Sequence, residues 1–181
     1  MAILITTSRR PTRRVRVLAK ELKRVIPHST RIQRGKSSLR KLVDVMVSEG
    51  FDRLLLIETR RGNPGGLVFY HLVDNHLTRR ATLHLIGVSL QLDKKIRFHS
   101  SVLDVEIDKG TPSLRQLGLI QGFLAEFLKD VYYHQPRGRP CTLMISHDGE
   151  NFVLEFRDAD RGVPMNPTLK VGGVKWQDES S

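Results

Sequence analysis

Two apolar runs without alternation constrain this chain most: AILIT at 2–6 and RLLLIET at 53–59. A strand with one wet face alternates apolar and polar residues, whereas an unbroken run belongs to a strand covered on both faces. Strands of that kind need helices on either side, and the residues between the two runs supply them. Val15, Leu18, Ala19, Leu22 and Val25 recur at the spacing of one helical stripe. Pro11 fits the first turn of that helix, where its missing N–H is not needed, and Pro27 ends it. Residues 30–33 read as a short extended piece before RGKSS at 34–38, in which Ser37 or Ser38 caps a second helix. That helix carries Leu39, Leu42, Val43 and Met46 on one face and stops at Gly50. Strand, helix, strand, helix, strand within the first 60 residues predicts an α/β unit with a partly parallel sheet. RRGNPGG at 60–66 is a turn, and LVFYHLV at 67–73 with the alternating stretch at 81–90 adds strands joined by short, antiparallel connections.

From about residue 91 the pattern restarts. Residues 98–107 contain a strand, Pro112 and Ser113 open a helix running to Lys129, and residues 141–158 form a hairpin turning at Asp148–Gly149. The expected organisation is a first half over 1–90, a second over 91–165 and a turn-rich, weakly specified tail over 166–181. No apolar run approaches the roughly 18 residues of a membrane helix, and the brief apolar start is not expected to act as a signal peptide. With Cys141 as the only cysteine, no intramolecular disulfide and no cysteine metal cluster is available, so an intracellular, cytoplasmic protein is expected.

The net charge of +11 is informative through its placement. Residues 1–61 hold 16 Lys and Arg against 5 Asp and Glu, and residues 62–181 hold 14 of each, so the first third carries the whole excess. A solubility device spreads its charge, and a binding surface concentrates it. Arg13, Arg16, Lys20, Lys23 and Arg24 fall opposite the apolar stripe of the first helix. Three clusters stand out: RRPTRRVR at 9–16, RIQRGK at 31–36 with Arg40 and Lys41, and RRGN at 60–63. In the α/β unit they lie at loop–helix junctions or after a strand, so they are able to converge on one side. Arginine outnumbers lysine 12 to 4 over residues 1–61, and its planar fork suits phosphates and base stacking. Arg60 and Arg61, read as strand residues, would point to opposite faces, so one joins the basic surface more easily; Arg61, nearer the loop, is favoured.

Other constellations point away from catalysis. GKS at 35–37 ends like a nucleotide-binding loop, but the position five residues before Gly35 is Thr30 rather than glycine. What survives is a helix N-terminus with Arg34, Lys36 and a permissive glycine, which favours a phosphate. Ser146, His147 and Asp148 are consecutive at a hairpin turn, whereas catalytic triads are assembled from distant positions. His71, His76, His84 and His99 lack metal-ligand spacing, and His84 and His99 are expected to fill sheet faces. Asp104, Glu106 and Asp108 alternate along a strand as a solvated edge. No enzyme, cofactor, metal site or small-molecule substrate is expected.

TTSRRPTRRVRVLAKEL, IQRGKSSLRKLVD and LLLIETRRGNPGGLVFYHL, in this order and spacing over residues 5–72, resemble the signature blocks of the Brix domain of ribosome-biogenesis proteins. The chain is similar to the short archaeal members of the Imp4-like branch. Where eukaryotic members continue with a proline-glycine-threonine segment, this chain has VDNHLTRR. The resemblance implies two anticodon-binding-like α/β halves with mixed sheets packed together. It also implies non-catalytic binding of ribosomal RNA precursors beside other pre-ribosomal assembly proteins, in a nucleolus if the source is eukaryotic. The residues pointed to are Arg9, Arg10, Arg13, Arg16, Lys20, Arg34, Lys36, Arg40, Arg61 and Asn63. With three tyrosines and one tryptophan, readout by base stacking ranks below phosphate and 2′-hydroxyl contacts, which favours structured RNA. The alternative is a protein–protein assembly module that docks an acidic partner on the basic face, with helix 113–129 and Trp176 as a second interface.

Overall fold

β1 (Ile3–Thr7) is buried along its whole length because it pairs in parallel with β2 (Ser29–Arg31) on one side and β3 (Arg53–Arg60) on the other. Its two faces are covered by different helices. Ile3 and Ile5 pack with α1 (Arg13–Val25), and Leu4 packs with Leu42 and Met46 of α2 (Leu39–Glu49) on the opposite face. The unbroken apolar run is thus explained by two-sided burial. These statements come from a computed structural model that describes residues 2–90, 100–112, 114–128 and 139–177.

α1 buries all five residues of the expected stripe. Thr12, with extended backbone, takes the N-cap position, so Pro11 lies one residue before the cap rather than in the first turn. The helix ends before Pro27, which has no N–H to continue it. For α2 the cap is Ser38, whose hydroxyl accepts from the Lys41 N–H at 3.3 Å, and Gly50 closes the other end in the left-handed region (φ 74°).

β4 (Asn63–Val73) and β5 (His76–Ser89) continue the sheet antiparallel to β3. The second half contributes β6 (Ser100–Ile107), α3 (Arg115–Leu128), β7 (Arg139–His147), β8 (Phe152–Asp158) and β9 (Pro164–Trp176). Phe98, His99, Ser113 and Lys129, expected in the strand and helix here, lie outside the described residues. The sheet order is β2-β1-β3-β4-β5-β9-β8-β7-β6. Outward from the antiparallel β5–β9 pair, each half runs through two antiparallel neighbours to a parallel pair, β3–β1 or β7–β6. The two mixed sheets are therefore one continuous sheet. α1 and α3 share one face of it, where Phe69 meets Phe123 and Phe127 edge-on at 5.2 and 4.9 Å.

One expectation is overturned here. Residues 166–176 of the stretch over 166–181, read as a weakly specified tail, belong to the 13-residue strand β9. Met165, Leu169 and Val171 face the core, while the prolines and glycines that look like turn residues sit within the ladder. Gly172 is bare for a packing reason: a Cβ there would meet Ile86 Cγ2 of β5 at 2.8 Å.

His71 provides a test of how the halves join. Its ring stacks on Phe127 of α3 at 5.6 Å, and its Nε2 is buried without a hydrogen-bond partner. Burial, then Arg53 and Arg80, lower its pKa against weaker opposition from Glu126 and Asp52. The unfolded chain binds this proton near pH 6.5 and the folded chain only at lower pH. The stabilisation is therefore complete above about pH 6.5 and declines as pH falls toward the folded-state value. His71→Phe is expected to flatten the loss of the urea midpoint between about pH 7.5 and pH 5.5. An unaltered pH profile excludes His71 as its source.

Candidate nucleic-acid interface

Because β1, β2 and β3 are mutually parallel, the segments that follow them leave from one end of the sheet. After β1 comes the loop with Arg9 and Arg10, both exposed. Ser8 ties its root to β3: its N–H donates to the Ile57 carbonyl at 2.9 Å and its hydroxyl meets that of Thr59 at 2.8 Å. After β2 comes the loop with Arg34, Gly35 and Lys36. Arg34 Nε donates to the Ser37 carbonyl at 2.8 Å, which holds the guanidinium over its own loop. Burial, and next the neighbouring Arg9, lower the Arg34 pKa, so cations from two separate loops already sense each other. Gly35 is there for its conformation (φ 57°), since nothing lies within 4 Å of the Cβ position.

α1 starts at the same end. Its first turn contains no acid and carries Arg13, Arg14 and Arg16, at the terminus where the helix dipole disfavours positive charge. Arg16 donates to the Pro11 carbonyl at 2.9 Å and Arg14 to the Val88 carbonyl at 3.0 Å, so both are held by backbone oxygens. Arg13, Arg16 and Lys20 are exposed on the outer face, Lys20 about 10 Å along the axis from Arg13. Ion pairs among the described residues include those of Arg53, Arg157 and Lys170. Arg9, Arg10, Arg13, Lys20, Lys36, Arg60 and Arg61 have no carboxylate partner there.

β3 ends at Arg60, Arg61 and Gly62 make the turn with positive φ (48° and 81°), and the exposed Asn63 opens β4. Strand alternation therefore does not separate the two arginines, because Arg61 lies outside the strand. Both line an open groove of about 580 Å³, together with Arg14, Asn63 and the end of β5. Arg14 and Arg60 are thus additions to the expected set. Arg14 sits at the margin of the apolar stripe, and only the β5 contact reveals its place. Arg40 is exposed in the first turn of α2, which packs on the sheet face opposite α1.

The remaining motifs resolve into structure. The Asp148 carboxylate accepts from the N–H groups of Glu150 and Asn151 and pairs with Lys170 at 2.7 Å, while His147 Nδ1 accepts from Gly149. Lys170, followed by those backbone N–H groups, holds the Asp148 carboxyl far below the ordinary carboxylate range. Asp104 and Glu106 are exposed, and Asp108 pairs with Arg157. His84 is exposed on the sheet face that α1 and α3 leave uncovered, rather than filling a packed one. No metal-ligand cluster occurs among the described residues. Leu117, Ile120, Leu124, Phe127 and Leu128 of α3 are buried and Trp176 packs edge-on against Phe123, while Leu119 on the same helix stays exposed.

A continuous mixed sheet of two topologically matched halves, with one cationic end, defines an Imp4-like α/β architecture. The same fold is seen in the crystal structure of a probable ribosomal biogenesis protein from Aeropyrum pernix K1, with TM-score 0.74 and 24% identity over 94% of this chain and 95% of that one. It is seen also in Mil, an archaeal Imp4-like protein, with TM-score 0.66 and 24% identity over 97% and 99%. A probable Brix domain-containing ribosomal biogenesis protein from Pyrococcus abyssi is 38% identical over 167 residues, 91% of this chain and 74% of that protein. Its counterpart in Pyrococcus horikoshii is 40% identical over the same shares. This chain belongs to the Brix domain-containing ribosomal biogenesis proteins, and its role lies in ribosome biogenesis. The U3 small nucleolar ribonucleoprotein protein IMP4 of Bos taurus is 41% identical over 70 residues, 39% of this chain and 24% of that protein. No protein-family model matches the chain.

The β3–β4 turn depends on Gly65, where a Cβ would stand 2.3 Å from Arg60 Cβ. Gly65→Ala is expected to destabilise the protein by about 1–3 kcal/mol in urea denaturation. Gly122→Ala, in the exposed face of α3 with nothing within 4 Å, should instead stabilise it by about 0.5–1 kcal/mol. Equal effects would show that close backbone approach does not shape this turn.

Proposed function

We propose that this protein is a non-catalytic RNA-binding factor that holds ribosomal RNA precursors during subunit assembly, in the cytoplasm of an archaeal cell. The observation that carries this reading is the set of cations at one end of the sheet with no carboxylate partner among the described residues. Arg9, Arg10, Arg13, Arg16, Lys20, Arg34, Lys36, Arg60, Arg61 and Asn63 form the contact surface, and Arg40 flanks it from the other face. Like charges gathered on one surface raise the energy of the free protein, and a polyanion relieves them while releasing its own counter-ions. In this division the half over 1–90 carries the contact surface, and the half over 91–165 completes the core.

Structured RNA fits better than a bare single strand. Among the described residues Phe69, Phe123, Phe127, Phe152 and Phe156 are packed in the core, so these rings are not stacking platforms, whereas guanidiniums are exposed at the cationic end. Other pre-ribosomal proteins then assemble around the RNA. Docking of an acidic protein on the same face is the competing reading. It is separated by measuring rRNA fragments against an equally charged acidic protein over a range of salt.

Arg13→Glu combined with Arg16→Glu is expected to leave the melting temperature nearly unchanged, because both side chains are exposed and opposite the buried stripe. Affinity for rRNA fragments should fall by a large factor at moderate salt. The log–log salt slope should flatten by about 0.7–0.9 for each phosphate that the variant no longer neutralises. Undiminished binding in a fluorescence titration removes this face as the RNA site.

A further inference from the structure

We propose that the groove beside the β3–β4 turn receives one unpaired nucleotide projecting from the bound RNA, a refinement that rests on the RNA-binding reading. Its charged wall is Arg14, Arg60 and Arg61, and its other wall is apolar, from Ile86 and Val88. A surface that meets only phosphates has no use for an apolar wall. Among the described residues Ile86 is the most exposed large apolar side chain, at 59%. Its exposure is built rather than incidental. The β5–β9 register shifts between His84 and Leu85 and again between Leu85 and Gly87, which turns Ile86 out of the ladder's regular alternation. The missing side chain of Gly172 gives it a seat, since a Cβ there would lie 2.8 Å from Ile86 Cγ2.

The groove volume of about 580 Å³ falls within the about 300–1,000 Å³ of sites that enclose small ligands. A nucleotide matches both walls: its phosphates pair with Arg60 and Arg61, and the face of its base covers Ile86. Asn63, exposed in the groove lining, has an amide with both donors and an acceptor for a base edge. An acidic peptide would satisfy the arginines and leave Ile86 uncovered. Arg14, already donating to the Val88 carbonyl, fixes the spacing between the walls.

The test uses two labelled RNA hairpins with equal numbers of phosphates, one fully paired in its stem and one with a single-nucleotide bulge. The intact protein is expected to bind the bulged RNA about tenfold more tightly, the scale of covering part of one isoleucine. Ile86→Ser should abolish that preference while leaving affinity for the paired stem unchanged. Arg13→Glu with Arg16→Glu should weaken both RNAs and preserve their ratio. Equal affinity of the intact protein for the two hairpins, or a preference that survives Ile86→Ser, overturns the nucleotide groove and leaves the RNA-binding reading standing. Failure to bind either hairpin, with polyglutamate bound instead, overturns both.

Discussion

The parallel pairing of β1 with β2 and β3 is the constraint on which the rest of this molecule depends. Parallel neighbours cannot be joined by tight turns, so the chain crosses over through α1 and α2, and the two helices cover the two faces. The same pairing sends the segments after all three strands to one end. Three arginine-bearing segments far apart in sequence thereby become neighbours, and Ser8, bonded to Ile57 and Thr59, holds the first against the third.

α1 shows how one helix serves core and surface together. Its stripe from Val15 to Val25 is buried, and Arg13, Arg16 and Lys20 point the other way. Three arginines in the first turn oppose the helix dipole, an arrangement that stability alone does not favour. Hydrogen bonds to the Pro11 and Val88 carbonyls hold Arg16 and Arg14 in place. Residues 62–181 add no net charge, and the second half supplies α3, whose phenylalanines join Phe69 and His71 across the β5–β9 seam.

Much of the local structure follows from the sequence read alone. Two-sided burial of β1 and β3, the buried stripe of α1, the cap and glycine stop of α2, and the hairpin at Asp148–Gly149 are consequences of residue spacing and turn chemistry. Each depends on neighbours within a few positions, where periodicity and capping act. The signature blocks over residues 5–72 belong to the same half, so the family and the cationic end were both legible there.

Tertiary structure decided what depends on distant partners. Residues 166–176 look turn-rich until β5 and β8 supply their ladder and Ile86 occupies the space beside Gly172. Arg40 resembles the other basic residues in sequence, but its helix, α2, packs on the sheet face opposite α1. Arg61 reads as a strand residue and is a left-handed turn residue, which brings it into one groove with Arg60, Arg14 and Ile86. Burial periodicity shows which side of an element is apolar. Only strand order and register determine which face of the sheet that side covers and which loops share an end.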